Sequence, residues 1–170
     1  RKAVREICNK YPNSYWRKLD SSQLYPEDFV QDLTKHGWLS ILIPEEFGGG
    51  GLGITEASIV LEEINRSGGH GTACHAQMYT MGTLLKHGND EQKNLYLPKI
   101  ASGELKFQAF AVTEPDAGSD TTRIKTTAIR NGNHYIINGQ KTFISRVQES
   151  DLMLLLARTT PYDKVHKKTD

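Results

Sequence analysis

Between residues 110 and 120 the chain reads FAVTEPDAGSD, which crowds the carboxylates of Glu114, Asp116 and Asp120 and the hydroxyls of Thr113 and Ser119 around a proline and a glycine. Residue types alone describe a strand that breaks at Pro115, turns through Asp116-Ala117-Gly118, and leaves Ser119 and Asp120 able to bond nearby backbone amides. A second candidate is PEEFGGGGLG at residues 44–53, where Gly48, Gly50 and Gly53 spell the G-x-G-x-x-G of a dinucleotide-binding turn. WLSILI before it resembles a short buried strand, and ITEASIVLEEINR after it an amphipathic helix. A dinucleotide fold, however, needs a second parallel strand after that helix, carrying an acid for the ribose. Here another helical stretch follows, and Glu45 and Glu46 would set like charge against a pyrophosphate. The glycines are therefore expected to let two helical elements pack closely. A third group, His70, Cys74 and His75, has ligand chemistry at near-helical spacing. It has no fourth partner at a recognisable distance, so no metal is assigned and a surface histidine cluster is expected.

The elements that must position these residues follow from periodicity. Ala3, Val4, Ile7 and Cys8 share one face of a first helix that stops near Tyr11-Pro12. Pro26 opens another, with Phe29, Val30 and Leu33 on one face and Gly37 as its stop. Ala57, Val60, Leu61 and Ile64 repeat at i, i+3, i+4 and i+7 before Gly68-Gly69. Ala73, Ala76, Gln77, Met81, Leu84 and Leu85 mark the next helix, ending at Lys86-His87-Gly88, and Asn89 with Gln92 caps a last short one that Pro98 closes. After about residue 104 the period becomes two: LKFQAFAV, KTTAI, HYII, KTFIS and LMLLLART read as strands, with Asn131-Gly132 and Asn138-Gly139 as hairpin turns. Helices first and hairpins second mean an α+β chain, with a helical domain over 1–104 and an antiparallel, barrel-like β domain over 105–170.

Composition narrows the function classes. Twenty-one Lys+Arg against twenty Asp+Glu give a net charge of +1, so no global field draws the protein to nucleic acid or an anionic membrane. The longest apolar run, LMLLLA, is far short of the roughly 20 residues of a membrane span. Two thiols, Cys8 and Cys74, fit a reducing compartment. Lys164, Lys167 and Lys168 read as a solvated tail. The sequence begins at Arg1 with no initiator Met and no signal-like apolar segment, which suggests a processed or trimmed chain.

With the segments that follow it, FAVTEPDAGSD resembles the acyl-CoA dehydrogenase family. The family signature of small residue, aliphatic, Ser/Thr, Glu, two variable positions, small residue, Gly, Ser/Thr and Asp matches from Ala111 to Asp120. PEEFGGGGLG is similar to the glycine-rich connection of the family's helical domain, and HYIINGQKTFIS with DLMLLLART to its middle β domain. The resemblance implies FAD held by Phe110, Ala111, Val112, Thr113, Gly118, Ser119, Phe143, Ile144 and Ser145, with backbone amides and hydroxyls as donors and Phe143 as an apolar wall. Ser119, beside Gly118, would contact the acyl-CoA. It further implies α,β-dehydrogenation of an acyl-CoA thioester to a trans-2-enoyl-CoA in fatty-acid or amino-acid catabolism. Electron-transferring flavoprotein would be the acceptor, the assembly a homodimer or homotetramer, and the location bacterial cytoplasm or mitochondrial matrix. An acyl-CoA oxidase and a non-catalytic module of the same fold are the alternatives. The resemblance places the catalytic base in a C-terminal helical domain, which the 170 residues do not reach. No residue is named as catalytic, and residues 1–170 alone are expected to be inactive. Arg123, Phe143 and Arg146-Val147 depart from common family residues, and they bear on the fine shape of the flavin's surroundings and hence on substrate class.

Overall fold

The computed structural model describes residues 1–164, so Lys167 and Lys168 of the expected solvated tail lie outside the described residues. The chain divides into two compact units. The first holds Arg1–Gln108 with Gln148–Leu152, and the second Ala109–Val147 with the chain from Met153 on.

Six helices build the first unit: α1 (Lys2–Cys8), α2 (Asn13–Ser22), α3 (Glu27–Lys35), α4 (Ile54–Arg66), α5 (Thr72–His87) and α6 (Asp90–Ser102). The apolar faces expected from spacing are the ones that meet. Val4, Ile7 and Cys8 of α1, Phe29, Val30 and Leu33 of α3, and Ala57, Val60 and Ile64 of α4 form one buried cluster with Cys74 of α5. Burying each such aliphatic side chain contributes about 1.5–3 kcal/mol. The α1–α4 contact also encloses a carboxylate, Glu63, which accepts from Arg1 Nη1 at 2.9 Å and from the Arg5 fork at 3.0 and 3.1 Å. A buried acid persists only when paired, and two guanidinium groups satisfy it here.

Helix α2 adds to the helices expected from periodicity; none of its residues is fully buried, and it starts after Pro12 and ends where Gln23 turns left-handed at φ 53°. Two local readings in this unit change. Pro98 does not close α6, which runs on to Ser102 and stops at Gly103 with φ 80°. The proline removes one bond, the one its amide would have given to the Asn94 carbonyl. Burial of Leu97 and Ile100 on either side outweighs that loss. WLSILI forms turns rather than a strand, although Leu39, Ile41 and Ile43 are buried as a strand's inward face would be.

Among the described residues the second unit contains four short strands: β1 (Ala109–Ala111), β2 (Thr127–Asn131), β3 (His134–Asn138) and β4 (Met153–Leu155). β2 and β3 pair antiparallel around Gly132-Asn133, with Gly132 at φ 62° in the first central position, where a type II′ turn needs glycine. β1 and β4 pair parallel, Ala109 opposite Met153 and Ala111 opposite Leu155. That pairing joins segments 44 residues apart, which no hairpin pattern reveals. KTFIS, expected as a strand, is a loop in which Phe143 takes φ 57°, followed by Arg146 at φ 60°. Asn138-Gly139 makes no hairpin. Gly139 instead lies so close to Thr126 that a Cβ on it would come within 2.6 Å of the Thr126 Cα.

Candidate functional site

A phosphate-binding turn works by offering free backbone N–H groups. Here Gly50 N donates to Ser40 O at 3.1 Å, Gly51 N to Ile43 O at 2.8 Å and Leu52 N to Ile41 O at 2.9 Å. Gly48 and Gly49 donate to Glu45 O and Pro44 O. The donors are spent on the preceding turns, and a Cβ at Gly49 would sit 2.1 Å from the Ile43 carbonyl oxygen. Glycine is thus required for close backbone approach, to the turns at 41–43 rather than between two helices as expected. His70, Cys74 and His75 do not converge. Cys74 belongs to the core, while His70 contacts Thr72 Oγ1 at 2.8 Å and exposed His75 packs edge-on against Tyr79. Among the described residues no group of three or more His, Cys, Asp or Glu is placed to hold a metal ion.

The signature segment is organised by its one buried acid. Glu114 follows β1 and closes a tight turn, its N–H donating to Ala117 O at 2.9 Å and Ala117 N–H donating back to Glu114 O at 3.2 Å. Its carboxylate accepts from Lys125 N at 2.7 Å, Thr126 N at 2.9 Å and Lys141 Nζ at 2.9 Å. Lys141 Nζ also donates to Val112 O at 2.8 Å. The two charged side chains are 6% and 8% exposed. A second buried cation, Arg158, donates through Nε to Ile124 O at 2.7 Å and through Nη2 to Thr122 O, which fixes the chain leading into β2. Sequence reading named neither Lys141 nor Arg158 as important, since each pairs across 27 or more residues.

Burial alone would raise the Glu114 pKa, yet the donors of Thr126, Lys125 and Lys141 prevail and hold it down to about 2. The Thr126 hydroxyl makes no hydrogen bond, so the donors that reach the carboxylate are the amides of Lys125 and Thr126 and the Lys141 ammonium. A depressed carboxylate pKa contributes stability that is present above the ordinary value of 4.5 and is lost as pH falls through about 2. The stability gap between wild type and Glu114→Gln should therefore stay constant above pH 4.5 and shrink steadily below it. Urea denaturation at several pH values reads this directly, and a gap that does not change with pH would show that Glu114 is not held ionised.

The candidate residues fall into two groups. Thr142 N donates to Thr113 O at 2.9 Å, so the strand end at 110–113 and the loop at 143–145 are brought together. In the first segment Ala111 is buried, Phe110 is exposed, and Val112 and Thr113 are half-buried. In the second, Ile144 is half-buried and Ser145 exposed, while Phe143 stands 90% exposed. Phe143 is therefore not sheet core. An aromatic side chain held out at positive φ stores roughly 1–2 kcal/mol of backbone strain. Gly118 and Ser119 lie beyond the Glu114–Ala117 turn, both exposed, and no hydrogen bond joins them to the 143–145 loop.

The acyl-CoA dehydrogenase N-terminal domain family model matches residues 1–104, and the acyl-CoA dehydrogenase middle domain model matches residues 109–169. The chain belongs to the acyl-CoA dehydrogenase family. Family members are flavin-dependent oxidoreductases. Acyl-CoA dehydrogenase FadE12 of Mycobacterium tuberculosis is 39% identical over 160 residues, covering 94% of this chain and 41% of that protein. Among solved structures, a glutaryl-coenzyme A dehydrogenase in complex with glutaryl-CoA superposes with a TM-score of 0.84 at 34% identity, covering 94% and 41% of the two chains. An acyl-CoA dehydrogenase from Geobacillus kaustophilus gives a TM-score of 0.82 at 30% identity, covering 93% and 42%. The α+β fold is that of the N-terminal and middle domains of this family. The chain spans about two fifths of the length of these relatives. Among the described residues no helix is long and apolar enough to cross a membrane.

Proposed function

We propose that the protein is an FAD-dependent acyl-CoA dehydrogenase that converts an acyl-CoA thioester to the trans-2-enoyl-CoA, with residues 105–170 belonging to its flavin-binding middle domain. The observation that carries this reading is the bond between Thr142 and Thr113, which sets a hydroxyl and strand-end amides beside an exposed aromatic ring. A flavin ring needs that combination, because reduction places negative charge on it that fixed N–H and O–H donors stabilise, while one face needs a dry wall. When bound, FAD would accept the hydride from the substrate's β carbon. Thr113 and Ser145 would donate to it, the amides of 110–113 and Ile144 would line its edge, and Phe143 would cover it. Gly118 and Ser119, exposed and separate from that loop, would meet the flavin's margin and the acyl-CoA, with the missing side chain at Gly118 allowing close approach. Electron-transferring flavoprotein as acceptor, a homo-oligomeric assembly, and a cytoplasmic or mitochondrial matrix location follow from the same reading.

The experiment is to titrate the full-length protein with FAD and assay it with acyl-CoA thioesters and an artificial electron acceptor. Stoichiometric flavin uptake and enoyl-CoA formation are expected. Thr113→Val removes one hydrogen bond to the neutral oxidised ring, so the FAD Kd should rise by about tenfold, the equivalent of about 1.4 kcal/mol. A colourless protein that takes up no FAD would overturn the reading, and an unchanged Kd in the variant would remove Thr113 from the site.

A further inference from the structure

We propose that the buried Glu114–Lys141 pair positions the flavin-facing residues and keeps their surroundings electrically neutral, so that it acts on the redox poise of the flavin without touching it. The inference rests on the FAD reading above. Its basis is connectivity. Lys141 Nζ spans from Glu114 Oε1 to Val112 O, so one ammonium fastens its own segment to both sides of Thr113. The bond from Thr142 N to Thr113 O continues the same seam, and Phe143 follows one residue later. Glu114 is held from the other side by the amides of Lys125 and Thr126, so the pair cannot swing as a unit. The two candidate flavin segments thus stand where this pair puts them.

Neutrality is the second half of the argument. The Lys141 ammonium lies 2.8 Å from the Val112 carbonyl, next in the chain to Thr113, and Glu114 adjoins Thr113 on its other side. Both charges are nearly inaccessible to water, so salt and solvent screen them little. Reducing a flavin adds negative charge, and any unbalanced neighbour would favour or oppose that addition according to its sign. With both partners present the two effects offset each other. With one removed, the survivor's sign decides the direction of the shift.

The test is to measure the flavin midpoint potential and the FAD Kd in full-length wild type, Glu114→Gln, Lys141→Met and the double variant at pH 8. Glu114→Gln leaves the ammonium and should raise the potential. Lys141→Met leaves a carboxylate that two amides still hold ionised, and should lower it. The double variant removes both charges and should return the potential toward wild type while its FAD Kd remains about tenfold weaker, because the seam has lost its cross-link. A merely structural pair would not produce shifts of opposite sign or a recovery in the double variant. Shifts of the same sign, or none, overturn the inference. Should Lys141→Met fail to fold, a raised potential in Glu114→Gln that the double variant restores is the expected result, and an unshifted Glu114→Gln overturns it. A wild-type protein without flavin would overturn the FAD reading itself, whereas flavin-loaded proteins with equal potentials would overturn only this inference.

Discussion

Lys141→Met destabilises the full-length protein by about 3–5 kcal/mol, the range found when one partner of a buried ion pair is removed and the other is left without its counter-charge. The stranded group is Glu114, at 6% exposure. Two amide bonds from Lys125 and Thr126 remain to it, so its charge persists while its strongest compensation is gone. The Val112 carbonyl loses its donor as well. The Glu114→Gln/Lys141→Met double variant should recover part of the loss, since no uncompensated charge remains, while the single acceptor oxygen of Gln cannot serve both the Lys125 and the Thr126 amides. Urea denaturation of the two variants against wild type measures both numbers. A single variant within 1 kcal/mol of wild type would mean that water reaches Glu114 and that the pair is not the joint described above.

Phe29→Ala costs a similar amount, about 3–5 kcal/mol, for a reason that involves no charge. Phe29 is fully buried in the cluster where α1, α3 and α4 meet. Its ring lies edge-on to Tyr11 at 5.2 Å and to Trp16 at 4.9 Å, and Tyr11 in turn donates to Asp28 O and to the Asp32 carboxylate. Removing the ring leaves a cavity that aromatic neighbours anchored in this way cannot readily fill. Trp16 Nε1 is itself bonded to Tyr11 O at 3.1 Å, so the tryptophan fluorescence should change along with the denaturation midpoint. A shallow Leu24→Ala control, on a residue 59% exposed, should stay within about 0.5 kcal/mol. A Phe29→Ala loss equally small would place the centre of the helical core elsewhere.

The sequence discloses what is set by near neighbours along the chain. The faces of α3 and α4 are legible because their apolar residues recur with the helical period, and the cap of α6 because Asn89 and Gln92 bond each other's backbone across three residues. The packing role of the glycines is legible because a nucleotide fold would have required a strand that the pattern denies. What escapes is set by partners far away. KTFIS has the Thr, Phe and Ile of a strand, yet Thr142 bonds Thr113 and the chain then turns left-handed at Phe143, so strand-like composition there marks no sheet. Nothing around Lys141 announces that its ammonium will be buried against an acid 27 residues earlier. Helix α2 carries its own signal in Tyr15, Trp16 and Leu19 at i, i+1 and i+4, and Tyr15 and Trp16 do pack against the core. The two segments of the candidate flavin site were each readable, but the seam joining them was not.

Phe143 has a consequence for anyone who would engineer this protein. Its φ of 57° suits glycine or asparagine, and its ring gains almost nothing from the fold around it, being 90% exposed. Selected for heat resistance alone, without cofactor in the medium, a library would drift at this codon toward Gly or Asn, each relieving strain at no cost to packing. Selected for turnover, it would hold an aromatic there under the proposal that this ring covers FAD. The same position would thus be enriched for opposite residues by two screens of one library, an instance of the trade between stability and activity that natural sequences carry at working sites.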